Sequence, residues 1–181
     1  TGDNGNAGIR YNVATGNLTV ESGMELHVMA GKAFTPAGNV TTTSTATQAG
    51  AAGDLHIPAT STMTMGTNAL SIGGDYLNAG TFNKSATQTT TFTATGAGFQ
   101  ITPGSGNFAN LTFNGASGDF APQAAMTVDE NLTMTAGQLK GTQNVTVIKD
   151  AVGTAGTIAL TGGTFEQSVA AAQNFGPTTA A

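Results

Sequence analysis

Cysteine and tryptophan are absent from this chain of 181 residues, and proline occurs only five times. Without cysteine there can be no disulfide and no thiolate metal site, although compartment is not fixed by that absence. Charge is also scarce: 8% of residues are Asp, Glu, Lys or Arg, against about 25% in an ordinary soluble domain. Lys and Arg together number five and the formal net charge is −5, which leaves no basic surface for nucleic acid. No segment approaches the run of about 20 apolar residues that crosses a bilayer. No basic-then-apolar leader opens the chain, so Thr1 reads as a processed end or the start of an excised piece. Leu, Ile, Val and Phe make up under a fifth of the residues, a level shared with disordered chains. Disorder also needs high net charge, however, and that is missing here.

What is present is threonine, close to a fifth of the chain, and 26 glycines. Thr favours strands and tolerates a wet outer face, while Gly marks strand ends. One short strand recurs: Asn17-Leu18-Thr19-Val20, Asp54-Leu55-His56-Ile57, Ala69-Leu70-Ser71-Ile72, Asn110-Leu111-Thr112-Phe113, Asn131-Leu132-Thr133-Met134 and Asn144-Val145-Thr146-Val147. Each copy alternates polar and apolar residues, the period of a half-buried strand. Turn dipeptides such as Gly73-Gly74, Asn114-Gly115, Ser117-Gly118 and Gly162-Gly163 separate the strands. Further strands are predicted at Ile9 to Val13, Met24 to Met29, Val40 to Thr47 and Ser61 to Met65, and so on to Thr164 to Glu166. Only Ser168 to Phe175 reads as two helical turns.

A short strand repeated along a chain is the signature of stacked coils. The copies at 110 and 131 lie 21 residues apart, and the step from 69 to 110 is 41, or two coils. The predicted fold is an all-β, single-stranded parallel β-solenoid (a right-handed β-helix) forming one domain over 1–181. Leu18, Leu55, Leu70, Leu111, Leu132 and Val145 are expected on one interior column. Val20, Ile57, Ile72, Phe113, Met134 and Val147 lie beside it, with outward Asn/Thr ladders at 17/19, 110/112, 131/133 and 144/146. Steps of 15 from 54 to 69 and 13 from 131 to 144 do not fit one period. The alternative is a jelly-roll β-sandwich, which also has regularly spaced short strands but does not need them alike.

The stretch from Leu70 to Val147, with Gly80-Thr81-Phe82, Phe108-Ala109-Asn110-Leu111-Thr112-Phe113 and Leu132-Thr133-Met134-Thr135-Ala136-Gly137-Gln138-Leu139, resembles the degenerate repeats of large bacterial β-helical surface proteins, adhesin-like and autotransporter-passenger-like. Gly163-Thr164-Phe165-Glu166-Gln167-Ser168-Val169 looks like the opening of a further repeat or an exchanged arm, so 163–181 is set apart. Residues 1–50 fit the repeat poorly and are read as an atypical N-terminal cap or arm. The resemblance implies a cell-surface or secreted stalk, adhesin or filament, and it brings no catalytic residues.

Inventory of the polar residues agrees. Asp129-Glu130 is the only adjacent acidic pair, and neighbours in a strand point to opposite faces, so it reads as a turn with solvated acids. The lysines look isolated, and Arg10 lies far from most acids. His27 and His56 sit at polar strand positions where they could stack on neighbouring coils, with Glu25 near. Zinc takes three or four protein ligands, so exposed strand histidines are the plainer reading. Thr1-Gly2-Asp3-Asn4-Gly5-Asn6 resembles half a calcium loop but lacks the later acidic ligands. Gly96-Ala97-Gly98 and Gly104-Ser105-Gly106 precede no helix and cannot cradle a phosphate. The Asn-X-Ser/Thr triplets at Asn17, Asn39, Asn83, Asn110, Asn131 and Asn144 match glycosylation acceptors, yet the repeat itself generates most of them.

Thr60, Thr62 and Thr64, and then Thr91, Thr93 and Thr95, form Thr-X-Thr arrays like those of flat ice-binding solenoids. Ice recognition needs the array at matching positions on consecutive coils, and the irregular spacing argues against it. The expectation is therefore a non-enzymatic extracellular structural protein with no catalytic, cofactor or metal residues. It would associate end to end as a homopolymer or continue a longer solenoid. A carbohydrate-binding or polysaccharide-processing β-helix, with a surface glycan as partner, is the alternative. A jelly-roll pilus subunit assembling by strand exchange is the third.

Overall fold

Alternating apolar residues flanked by Gly and Asn produce strands two to thirteen residues long that wind as a β-solenoid. The structure, a computed structural model, describes residues 16–44 and 52–168. Three sides make each turn. The first holds β1 (Leu18–Val20), β2 (Leu26–His27) and β3 (Ala33–Phe34). The second holds β4 (Val40–Thr42), β5 (Leu55–Ile57) and β6 (Thr62–Gly66), and the third β7 (Leu70–Ile72), β8 (Tyr76–Asn78) and β9 (Thr81–Lys84). The fourth contains β10 (Thr89–Phe92) and β11 (Phe99–Thr102), the fifth β12 (Asn110–Pro122) and β13 (Met126–Val128), and the sixth β14 (Leu132–Gly141) and β15 (Val145–Val147). The seventh turn is β16 (Ala151–Gly153), β17 (Thr157–Leu160) and β18 (Phe165–Gln167). No helix occurs among the described residues, and none is long and apolar enough to cross a membrane.

Every strand pairing among the described residues is parallel, which removes the jelly-roll alternative. The first side runs β1-β4-β7-β10-β12-β14-β16. The second runs β2-β5-β8-β11-β12-β14-β17. β12 and β14 serve both sides because each turns a corner without breaking, through a register irregularity between Phe113 and Asp119. Ser117 takes a positive φ of 62° at that corner. The third side is divided into β3-β6-β9 and β13-β15-β18, and in the fourth turn it shrinks to a single bridge between Phe108 and Val128.

Inside, the side chains of one turn lie on those of the next. Along the first side the inward positions are Leu18, Val40, Leu70, Thr90, Leu111, Leu132 and Ala151, at steps of 22, 30, 20, 21, 21 and 19 residues. The expected single column is therefore corrected at two members. Leu55 belongs to the second side, against Leu26 and Tyr76, and Val145 to the third, against Met126 and Phe165. Both are fully buried. Steps of 15 and 13 residues are shorter than a turn, so those copies fall on a neighbouring side of the coil. Val40 and Thr90 take their places.

The middle of the stack is aromatic. Tyr76, Phe92, Phe99, Phe108, Phe113 and Phe120 are all fully buried. Phe92 stacks on Phe113 at 5.4 Å and meets Phe108 edge-on at 6.2 Å. At the ends, Leu18, Leu26 and Phe34 in the first turn, and Ile158, Leu160 and Phe165 in the last, are only partly buried against this core. The predicted strand at Ile9 to Val13, the helical stretch Ser168 to Phe175 beyond Ser168 itself, and 45–47 of the expected strand at Val40 to Thr47 lie outside the described residues. Residues 16–44, read as part of a cap or arm, supply strands that pair in register with the second and third turns.

Candidate functional site

Three groups of outward residues carry the polar chemistry. The first is at the corner leading into the second side. Leu26, Leu55 and Tyr76 are in register, so the residues before them, Glu25, Asp54 and Asp75, stack as a column of carboxylates. Asp54 accepts the Asp75 N–H at 2.7 Å, and Asp75 accepts the Gln100 N–H at 2.9 Å. Asp54 and Asp75 each thus bond to the backbone of the next turn. Asp54 is only 5% exposed, and burial pushes its carboxyl up to about 6, helped by the charges of Asp75 and Glu25 and opposed by the Asp75 N–H. Burial also raises Asp75.

His27 and His56 lie directly opposite each other on β2 and β5. Their rings meet edge-on with centroids 4.4 Å apart, and His27 Nδ1 lies 3.6 Å from Glu25. The stacking considered from the sequence is what the fold produces. Burial, and then the neighbouring His27, hold His56 below its ordinary value. Even so, among the described residues no three His, Asp or Glu side chains gather tightly enough to hold a metal ion.

The second group corrects three of the four lysines read as isolated. Lys84 pairs with Asp129 at 3.0 Å, Lys140 with Asp119 and Lys149 with Glu130, each reaching an acid of another turn. Asp129 and Glu130, adjacent in sequence, thereby face different partners. Asn107 also donates to Asp129 at 2.7 Å. Lys84 and Asp129 tie the third turn to the fifth where the third side is reduced to the Phe108 bridge, and the other two pairs join the fifth turn to the sixth. Arg10 and the oxygen-rich segment 1–6 lie outside the described residues.

The third group is the outward face of the first side. Thr19, Thr41, Ser71, Thr91, Thr112 and Thr133 are in register one above another over six consecutive turns, and Val152 follows in the seventh. Beside that row runs a corner ladder of amides. Asn17 accepts the Asn39 N–H at 3.0 Å, Asn39 the Ala69 N–H at 2.8 Å, and Asn131 donates to Asn110 at 3.0 Å. Asn144, expected in the same ladder, stands on the third side and accepts the Thr164 N–H at 2.9 Å. On the other flank, Thr43 and Thr93 donate to the carbonyls of Val20 and Ile72, one turn back.

The irregular spacing expected to spoil such an array does not do so. Insertions are taken up at the corners, chiefly between Thr42 and Leu55, while the strands keep register. Of the two arrays read from the sequence, Thr91 and Thr93 belong to this face. Thr62 and Thr64 lie on the third side beside Thr81 and Asn83, and Thr60 sits in a turn with φ 67°. The row was hidden because two members, Thr41 and Thr91, lie in copies without Leu or Ile at the usual place. Comparison with known protein families, with curated proteins and with solved structures finds no match for this chain.

Proposed function

We propose that this chain is a non-enzymatic structural segment of an extracellular or cell-surface protein, a β-solenoid stalk or adhesin segment whose turns continue into further turns. The observation that supports this is parallel pairing carried from the first turn to the last, with end-turn side chains left partly buried. In such a stack each turn is stabilised by its two neighbours, and an end turn has only one. Added turns, from more of the same protein or from a second copy, extend the hydrogen-bonded edge and cover Ile158, Leu160 and Phe165. The low charge and hydroxyl-rich exterior favour the same setting.

The edge of β18 gives the test. Val145 donates to Thr164 and Ser168 donates to Val147, so alternate residues bond inward, and the N–H group of Gln167 points along the stack. Gln167→Pro removes an outward donor while sparing the inward backbone bonds. Sedimentation and negative-stain microscopy at high concentration are expected to show end-to-end particles that Gln167→Pro shortens. Strictly single particles at all concentrations would reject the end-to-end form of the reading. A glycan-handling β-helix is less well supported: among the described residues Tyr76 and the six phenylalanines of the middle turns point inward, leaving few rings on the outer sides of those turns to stack on sugars.

A further inference from the structure

Beyond a scaffold, the first side presents a surface with a stated fit. Its central five turns display Asn39, Thr41 and Thr43; Ala69 and Ser71; Thr89, Thr91 and Thr93; Asn110, Thr112 and Asn114; and Asn131, Thr133 and Thr135 at outward positions, while Gly73 is buried against Thr42 and Ser44. None carries a charge, and none is aromatic. Charged residues enter only at the margins, as Glu21 in the first turn and Asp150 in the last. Among the described residues, the hydroxyls of Thr19, Thr41, Ser71, Thr91, Thr112 and Thr133 have no hydrogen-bond partner in the protein. Many flanking residues differ: Thr43, Thr93 and Thr154 donate to backbone carbonyls, and Asn17, Asn39, Asn110 and Asn131 bond to one another or to backbone.

We infer that this face binds a periodic, uncharged lattice of water, the surface of an ice crystal. The strand geometry supplies one continuous row of hydroxyls about 4.8 Å apart between turns, with polar neighbours about 6.6 Å away along most of its strands. A β-branched threonine has few χ1 states, so the hydroxyls are ordered before anything binds. One hydroxyl holds one water weakly. Only a ligand that repeats with the protein engages the whole row together, and the contacts then act as one multivalent attachment. An anion finds no cation on this face, and a cation finds no carboxylate on it in the central turns. A crystalline polysaccharide finds none of the rings on which sugars stack. Neutral, repeating and hydrogen-bonding in all directions, ice meets each condition.

The test is partition of the fluorescently labelled chain into a slowly growing ice hemisphere, together with freezing hysteresis. Wild type is expected to enter the ice and slow its growth. Thr91→Tyr with Thr112→Tyr, which raises two rings in the middle of the row, is expected to abolish both while far-UV circular dichroism stays unchanged. Thr127→Tyr, on the third side, is expected to behave as wild type. Exclusion of folded wild type from ice overturns the inference. So does equal partition of the double variant, equal loss in Thr127→Tyr, or adsorption to crystalline chitin or cellulose in place of ice. Should the double variant fail to fold, Val152→Thr decides. It extends the row into the seventh turn, so greater hysteresis supports the inference and unchanged hysteresis overturns it.

Discussion

At the scale of single residues, the close spacing of turns sets the tolerances. A Cβ on Gly115 would lie 1.7 Å from the carbonyl oxygen of Ala94, a rigid backbone atom that cannot step aside. Gly115→Ala is therefore expected to cost about 1–3 kcal/mol or more, in line with overpacking of a core, measured by urea unfolding. Asp54 makes a prediction about pH. Its carboxyl titrates at about 6 in the fold against an ordinary 3.8, so ionisation opposes folding. The stability contributed by the protonated form is complete below about 4 and lost as pH rises through about 6. Asp54→Asn keeps an oxygen for the Asp75 N–H, so its Tm should exceed wild type above about 6, with the gap closing toward about 4. His56 works the other way: its lowered value means that its contribution is present above the ordinary 6.5 and is lost as pH falls through the lowered value. A Tm profile of the double variant Asp54→Asn, His56→Gln should be flatter than that of wild type.

At the scale of elements, the corners and the broken third side matter most. Asn131 donates to Asn110 and accepts from the Asp150 N–H, joining three turns at one corner. Asn131→Ala removes both bonds, and at roughly 0.5–1.5 kcal/mol per net hydrogen bond the loss is about 1–3 kcal/mol. On the third side β9 and the Phe108 bridge share no named pairing, and Lys84 to Asp129 spans the gap. Lys84→Met is expected to lower global stability little, because Met keeps the packing of the largely buried Lys84 stem and Asp129, itself partly exposed, retains its bond from Asn107. Amide exchange in β9 and near Phe108 should nevertheless quicken, with the first side unaffected. Uniform acceleration through all strands would mean that the pair acts on the whole fold. These features were only partly legible beforehand. The recurrent Asn was visible as a repeat, whereas Lys84 and Asp129 are 45 residues apart and no local pattern links them.

At the scale of the whole molecule, stability runs along one axis. A residue in the middle of the stack touches turns on both sides, and one at an end is supported from a single side. Phe92, fully buried between Phe113, Phe108 and Phe120, should cost about 3–5 kcal/mol when replaced by Ala. Leu18→Ala, in the partly buried first turn, should cost clearly less. If coupling passes from turn to turn, urea unfolding of Phe92→Ala should broaden into two steps, because a weak centre separates the two halves. A single sharp transition of unchanged slope would instead show one indivisible cooperative unit.

From the sequence alone came the strand period, the stacking of similar strands and the parallel solenoid, because alternation and self-similarity are properties of neighbours along a chain. Which side of the coil each copy occupies was settled only in three dimensions. Leu55 and Val145 match the motif as well as Leu111 does, yet corner length, not motif, decides where a strand lands. The same reason governs the polar surface. Corners absorb insertions of up to a third of a turn or more, and so residues at uneven intervals, His27 with His56 and Thr41 with Ser71 and Thr91, come into register only once the turns are closed.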